Sequence, residues 1–326
     1  MYNNLKTSKI KTAVLFLVFN RPDTTTKVFQ MIRQAKPPRL YIAADGPRKN
    51  KEGEEEEIAK VRAIVNNIDW PCEVKTLFRD KNLGCKKAIS EAITWFFKNE
   101  DQGIILEDDC LPHLDFFSYC EILLDYYAED KKITCITGNN FQDGQRRGDS
   151  SYYFSKYNHC WGWATWKRGW QHYQEDLKFW PAWSKSDAWL KHTPDKVERT
   201  YWKKIFNLVY AGKIDSWAYP WLGSSWYQNV LTVTPNVNLV SNIGFDTNST
   251  HTKNKNDKAA NMLTEKIGIL KHPKIIKIDE EADMYDFNNN FGGKKLRFPN
   301  NIINIIPRIM MYIFRNIKNF FKNLRS

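Results

Sequence analysis

The sequence predicts an α/β fold in which a mainly parallel central sheet is flanked by helices, followed by an irregular tryptophan-rich half and a terminal amphipathic helix. Three observations predict it. Between residues 11 and 136, short β-branched or aromatic runs alternate with longer amphipathic ones, the pattern of strands joined by helical crossovers. Eleven of the thirteen tryptophans lie between residues 152 and 227, where neither strand nor helix periodicity runs cleanly, so this part does not continue the alternation. Residues 287–326 hold eight Lys or Arg and no Asp or Glu, which sets the end of the chain apart from the body.

Residues 13–19 are the first strand. The run is apolar throughout and leads into Asn20-Arg21-Pro22-Asp23, a turn in place of the small-residue cleavage site of a signal peptide. Further strands are expected at 40–44, 73–78, 103–106 and 133–137, with helices between them at 23–35, 54–66, 84–99 and 114–128. The four glutamates at 54–57 fall where the helix dipole favours negative charge and read as a solvated helix start. Residues 246–261, rich in Asn, Asp, Thr and Lys, read as a mobile loop. The expected organisation is one domain over 1–252, with halves 1–150 and 151–252, then a polar linker over 253–300 and the basic helix over 301–326.

Composition narrows the function classes. At 326 residues and 42% apolar content the chain has material for a large core. No run approaches the roughly 18 uncharged apolar residues of a membrane span. The six cysteines form no CxxC pair and sit mostly in apolar surroundings, which favours a reducing, cytoplasmic setting. The net charge of +12 comes mainly from the tail, whereas a nucleic-acid footprint lies on the folded domain; nucleic acid is therefore not expected as a partner. A basic tail suits an anionic membrane surface instead.

Gly103-Ile-Ile-Leu106 runs directly into Glu107-Asp108-Asp109. Ligands of open parallel sheets bind beyond the carboxyl ends of the strands, so this triplet stands where a site is expected. Three adjacent carboxylates repel one another, and an oxygen-only set with few protein ligands suits Mg2+ or Mn2+ completed by diphosphate oxygens. The bland alternative is a solvated acidic turn. Arg21 follows the first strand and Asp45-Gly46-Pro47 the second, so they converge on the same rim, where Arg21 is a candidate for base or phosphates and Asp45 for base or ribose. No GxGxxG follows the first strand and no GxxxxGK[ST] occurs, which excludes a dinucleotide-type site and a P-loop. Asn82-Leu83-Gly84 at a helix start is phosphate-friendly, though equally a plain helix entry.

Asn20-Arg21-Pro22, Asp45-Gly46, Arg79-Asp80-Lys81-Asn82-Leu83-Gly84 and Ile105-Leu106-Glu107-Asp108-Asp109 follow their strands in that order. Downstream come Trp161-Gly162-Trp163-Ala164-Thr165-Trp166 and Asn238-Leu239-Val240-Ser241-Asn242-Ile243-Gly244 through Thr250-His251-Thr252. The series resembles the GT-A glycosyltransferases, in particular bacterial relatives of the N-acetylglucosaminyltransferase I family, over roughly residues 12–252. The resemblance implies a GT-A fold and a metal-dependent, inverting transfer from a nucleotide diphosphate sugar, UDP-linked, to a glycan or lipid-linked acceptor. Surface polysaccharide or lipopolysaccharide assembly at the inner face of the membrane is the implied setting. Asp109 would coordinate the metal, Asp108 would lie at the ribose, and Arg21, Asp45, Asn82 and Glu107 would complete the donor side. Thr250 and His251 resemble a segment that closes over the diphosphate. The bacterial relatives commonly carry an Asp after the central Trp of the segment matching Trp217, where this chain has Ala218; Asp215 is the remaining carboxylate there and the expected base. Trp161, Trp163, Trp217 and Trp221 are candidates to stack on acceptor sugars.

Two other readings stay open. A sugar nucleotidyltransferase shares the general fold, but Asn20-Arg21-Pro22-Asp23 is not its Gly-rich loop. A non-catalytic carbohydrate-binding or membrane-active protein would use the triplet as a structural cation site.

In a helix from Pro307, Ile309, Met310, Ile313, Ile317, Phe320, Phe321 and Leu324 share one face, and Arg308, Arg315, Lys318, Lys322 and Arg325 surround the other. This is an interfacial pattern, each cation being worth roughly 1 kcal/mol near anionic lipid. The full chain should therefore sediment with anionic vesicles at low salt, and a chain ending at Asn300 should stay folded but remain in the supernatant. Unfolding on truncation, or vesicle binding that survives it, would make the tail part of the core.

Overall fold

The fully buried run Val14–Val18, strand β1, is the axis of the fold. A computed structural model of the chain describes residues 10–245 and 257–300; the segment with Thr250 and His251 and the terminal helix expected over 301–326 lie outside the described residues. After β1 come α1 (Pro22–Ala35), β2 (Arg39–Ala44), α2 (Glu54–Val65), β3 (Glu73–Phe78), α3 (Cys85–Phe97), β4 (Gln102–Glu107), β5 (Cys110–Pro112), α4 (Asp115–Tyr126) and β6 (Ile133–Thr137). The expected alternation of strands and helices is present.

Side chains of a strand alternate between faces, and β1 uses this to feed two cores. Val14, Phe16 and Val18 pack with Val28, Phe29 and Ile32 of α1, Val61 and Val65 of α2, and the inner face of α4. Leu15 and Leu17 point the other way, to Ala92, Ile93 and Phe96 of α3. Pro22 opens α1 where its fixed φ suits a first helical residue, and Lys36 in the left-handed region closes it.

The tryptophan-rich half is more regular than its sequence suggests. It contains β7 (Tyr152–Ser155), β8 (Trp163–Trp166), the short helices α5 (Lys167–Trp170), α6 (Trp180–Trp183) and α7 (Asp187–His192), then α8 (Lys196–Tyr210), α9 (Ala218–Tyr227), β9 (Leu231–Pro235) and β10 (Val240–Asn242). The main sheet has the order β3-β2-β1-β4-β8-β6-β9-β7. β3, β2, β1 and β4 are parallel, and so are β6 and β9, whereas β8 inserts antiparallel between β4 and β6. β10 pairs antiparallel with β5 in a separate two-stranded ladder. A third core lies outside the sheet, where Trp180, Trp183, Trp189, Trp202 and Trp226 pack around Leu177 and Phe206.

Residues 257–300, expected as a polar linker, fold against the body. They bury Leu270, Ala282 and Phe287 and form α10 (Glu280–Asn289) and α11 (Gly293–Leu296). Asp283 and Asp286 of α10 are buried as well, and charged residues of that kind made the segment look solvated. The solvated reading of the α2 start holds for Glu55 and Glu56, which are exposed, but not for Glu54. Glu54 is 3% exposed; its carboxylate accepts from Asn20 Nδ2 at 2.9 Å and from the Arg48 backbone N–H at 2.7 Å, tying together the loops after β1 and β2. Among the described residues no helix is long and apolar enough to cross a membrane.

The third core contains a titratable group. His192 packs on Trp226 with ring centroids 4.8 Å apart, and its buried Nε2 has no hydrogen-bond partner among the described residues. Burial, assisted by Lys156, pushes its pKa down to about 3. A depressed folded pKa means that the stability due to neutral His192 is complete above the unfolded value of about 6.5 and is lost as pH falls toward the folded one. His192→Phe keeps a ring and removes the titration, so it should lose less thermal stability than the parent between about pH 7 and about pH 4. Parallel pH profiles for the two proteins would acquit His192.

Candidate functional site

Strands β1, β2 and β4 end side by side. The register sets Leu17 beside Glu107 and Val18 beside Ala44, so the residues that follow each strand emerge along one edge of the sheet. There they floor a cavity of about 790 Å³ whose opposite wall comes from the loops after β6 and β7, the segment entering α9, and the end of α10.

The acidic triplet is held from three sides. Asp108 Oδ2 accepts from the Phe19 backbone N–H at 3.1 Å, and its other oxygen meets the Arg21 guanidinium. Asp109 Oδ2 accepts from Arg21 Nη1 at 2.9 Å, while its backbone carbonyl accepts from the Ile243 N–H at 2.8 Å, next to the β5–β10 ladder. Gly244 passes so close that a Cβ there would lie 2.3 Å from Asp109 Oδ2 and 2.6 Å from Arg21 Nη1, which only glycine avoids. Arg21, expected at base or phosphates, is thus engaged by Asp108 and Asp109.

Glu107 accepts no hydrogen bond from any described residue and faces the cavity. Burial pushes its carboxyl well above the usual range, Asp109 and Asp108 add to the rise, and Arg21 opposes it. Burial likewise raises Asp108, against the pull of Arg21. The Cys85 thiol, also on the cavity, is pushed up to about 12 by burial and by the field of Glu107, Asp215, Asp109 and Asp45, so it is not a nucleophile. No group of three or more His, Cys, Asp or Glu among the described residues is arranged to hold a metal ion.

Asp45 and Asn82 sit at the cavity but are occupied. The Asp45 carboxylate accepts the backbone N–H groups of Gly46 at 2.9 Å, Leu83 at 3.0 Å and Gly84 at 3.2 Å. Asn82 Nδ2 donates to the Gly46 carbonyl at 2.9 Å. The short-polar turn chemistry at both strand ends is spent on locking one loop to the other. Asp215 also lines the cavity, where it accepts the Lys86 N–H at 3.2 Å and so caps the first turn of α3, which has no cap of its own.

Of the four candidate tryptophans, Trp163 and Trp221 are each 1% exposed and stack in the second core with Trp217 and Trp170, away from the cavity surface. Their large apolar area drives them inward. Trp217 reaches the cavity from that core, and Trp161 is half-buried in its wall against Phe141 and Phe245. His251 lies outside the described residues.

Three cavity residues were not among the site candidates read from the sequence, although Arg79 opens the motif that ends at Gly84. Arg48 and Arg79 bring positive charge to the same rim, paired there with Glu54 and Glu91, and the strand-end rule that selected Asp45 would have reached both. His159 has no sequence signal, because the group it pairs with, Asp286, is 127 residues further on.

No protein-family model matches the chain, and no curated protein matches it. Among solved structures it is similar to the mannosyltransferase PcManGT from Pyrobaculum calidifontis in complex with GDP-Man and Mn2+, at 9% identity over 68% of this chain and 75% of that one, with a TM-score of 0.36. It is also similar to HddC from Yersinia pseudotuberculosis, at 10% identity over 52% of this chain and 85% of that one, TM-score 0.32. A UDP-glucose pyrophosphorylase complexed with UDP-glucose shares 10% identity over 50% of this chain and 79% of that one, TM-score 0.30.

The Asp45 cradle makes a stability prediction. Asp45→Ala strands three backbone N–H groups in a nearly closed turn and should cost about 1–3 kcal/mol in urea unfolding, with faster amide exchange at Leu83 and Gly84. A change near zero would show that water replaces the carboxylate.

Proposed function

We propose that the chain is a glycosyltransferase that takes its sugar from a nucleoside diphosphate donor. The observation that supports this reading is the joint placement, on the floor of one cavity, of three carboxylates at the end of β4 and three arginines, Arg21, Arg48 and Arg79, from the ends of neighbouring parallel strands. A diphosphate needs fixed positive charge; Arg48 and Arg79 bring it to the cavity, their guanidinium groups held there by Glu54 and Glu91. The loop after β1 runs Phe19-Asn20-Arg21-Pro22 and has no glycine to wrap phosphates, which favours transfer over nucleotidyl chemistry.

The donor set suits a divalent cation of the Mg2+ or Mn2+ type. Glu107 has free oxygens and Asp109 one carboxylate oxygen outside the Arg21 pair, too few for an all-protein cage but enough for a cation that takes its other ligands from phosphate and water. Such a cation, when bound, supplies charge neutralisation for the leaving diphosphate. Arg21 keeps Asp108 and Asp109 oriented. The opposite wall, with Trp161, His159, Tyr219 and Phe291, offers ring faces and polar edges suited to a glycan or lipid-linked sugar. The basic tail would hold the enzyme on an anionic membrane surface beside such an acceptor.

The test uses UDP-glucose, UDP-N-acetylglucosamine and GDP-mannose with Mn2+. The parent should release nucleoside diphosphate from at least one of them, and Asp109→Asn should lower that rate by about 10²-fold or more while melting normally. Nucleoside triphosphate and sugar 1-phosphate formed from donor and pyrophosphate would identify a nucleotidyltransferase, and full activity of the variant would move the metal site elsewhere.

A further inference from the structure

His159 stands on the cavity wall in a setting unlike that of His192 and His272. Its Nε2 donates to Asp286 Oδ2 at 2.5 Å. Asp286 is 3% exposed, and its second oxygen, Oδ1, is buried with no hydrogen-bond partner among the described residues, so the carboxylate is committed to the imidazole. The ring is gripped by Phe141 edge-on at 4.7 Å and by Tyr157 and Phe291 stacked at 6.1 and 6.2 Å. Its side chain nonetheless remains 12% exposed and lines the cavity, and Nδ1 bonds to no described residue. By contrast His192 packs on Trp183 and Trp226 of the third core, and His272 stacks on Tyr126 and bonds Tyr152. A ring with one nitrogen fixed by a buried carboxylate and the other open to a pocket is the arrangement of an oriented proton acceptor.

The surroundings fit that role. From α10, Asp283 accepts from Ser155 Oγ and the Lys156 N–H; from α8, Glu198 pairs with Lys156 Nζ at 2.8 Å and with the Tyr157 hydroxyl. Lys156 is thereby neutralised by its own partner, and Asp286 is the carboxylate in contact with the imidazole. Ala218 on the same cavity brings no acid, and Asp215 is engaged at the start of α3.

Building on the glycosyltransferase reading, we propose that His159, oriented by Asp286, is the general base that activates the acceptor hydroxyl. Nδ1 takes the hydroxyl proton as the acceptor oxygen forms its bond to the anomeric carbon. The bond from that carbon to the diphosphate oxygen breaks, and its electron pair leaves with the nucleoside diphosphate. Asp286 stabilises the imidazolium until the proton passes to solvent. His159 is the catalytic residue and Asp286 its positioning residue.

The experiment uses the full chain, the same three nucleotide sugars with Mn2+, and water as acceptor. His159→Asn should lower kcat by about 10²-fold or more without weakening binding of Mn2+-UDP or Mn2+-GDP, and Asp215→Asn should lower it far less. Asp286→Asn should lower kcat and release the ring from the Nε2–H tautomer; Asp286→Glu should restore part of both. A merely structural Asp286 would leave the tautomer unchanged. Long-range 1H–15N NMR of the parent should show Nε2–H with the lone pair on Nδ1, a result that does not depend on any variant folding. The opposite tautomer, wild-type kcat in His159→Asn, or a larger loss in Asp215→Asn overturns the base while leaving the transferase reading in place. A parent that neither hydrolyses a donor nor binds either nucleotide overturns both.

Discussion

Neutralising the carboxylates at the end of β4 is the constraint on which the cavity floor depends. Asp108 is 2% exposed and Asp109 9%, and bringing such groups out of water is costly unless each finds a partner. Arg21 is that partner for both, and it reaches them because it sits between the end of β1 and the start of α1, one strand away from β4. Gly244 and Ile243 then close over the pair from the β10 side. The site is consequently built by pairing across the sheet, and the residues that follow each strand are set by their neighbours as much as by their own turns.

A second buried polar system joins the tryptophan-rich half to the end of the chain. Lys156 and Glu198 form an ion pair with both side chains under a tenth exposed, Trp202 Nε1 donates to the Tyr157 hydroxyl at 3.2 Å, and Asp283 and Asp286 complete the set from α10. Removing one member of such a set leaves another charge stranded, so its geometry admits few alternatives. The third core supplies the apolar shell that gives these contacts their strength. His159 stands where this system meets the cavity.

Much of the first half was legible because each element there announces itself locally. Val14–Val18 is apolar on both faces as a central parallel strand requires, and Glu107-Asp108-Asp109 directly follows a buried strand. The second half was harder to read. Trp163–Trp166 is a strand buried on both faces, so its tryptophans show no alternation between core and solvent, and its antiparallel place between β4 and β6 is a matter of pairing that no local pattern records.

By itself, the sequence determined the α/β class, the positions of the first strands and helices, and the gathering of Arg21, Asp45 and the acidic triplet at one rim, since all of these follow from periodicity and from the rule that parallel strands end on a common edge. Tertiary structure decided what each of those residues bonds to. It turned Asp45 and Asn82 into loop ties, drew Trp163 and Trp221 into the core, converted a polar stretch into α10, and set Asp286 against His159. Hydrogen bonds and packing across such sequence separations depend on which surfaces the folded chain brings together, and composition and period describe each segment only alone.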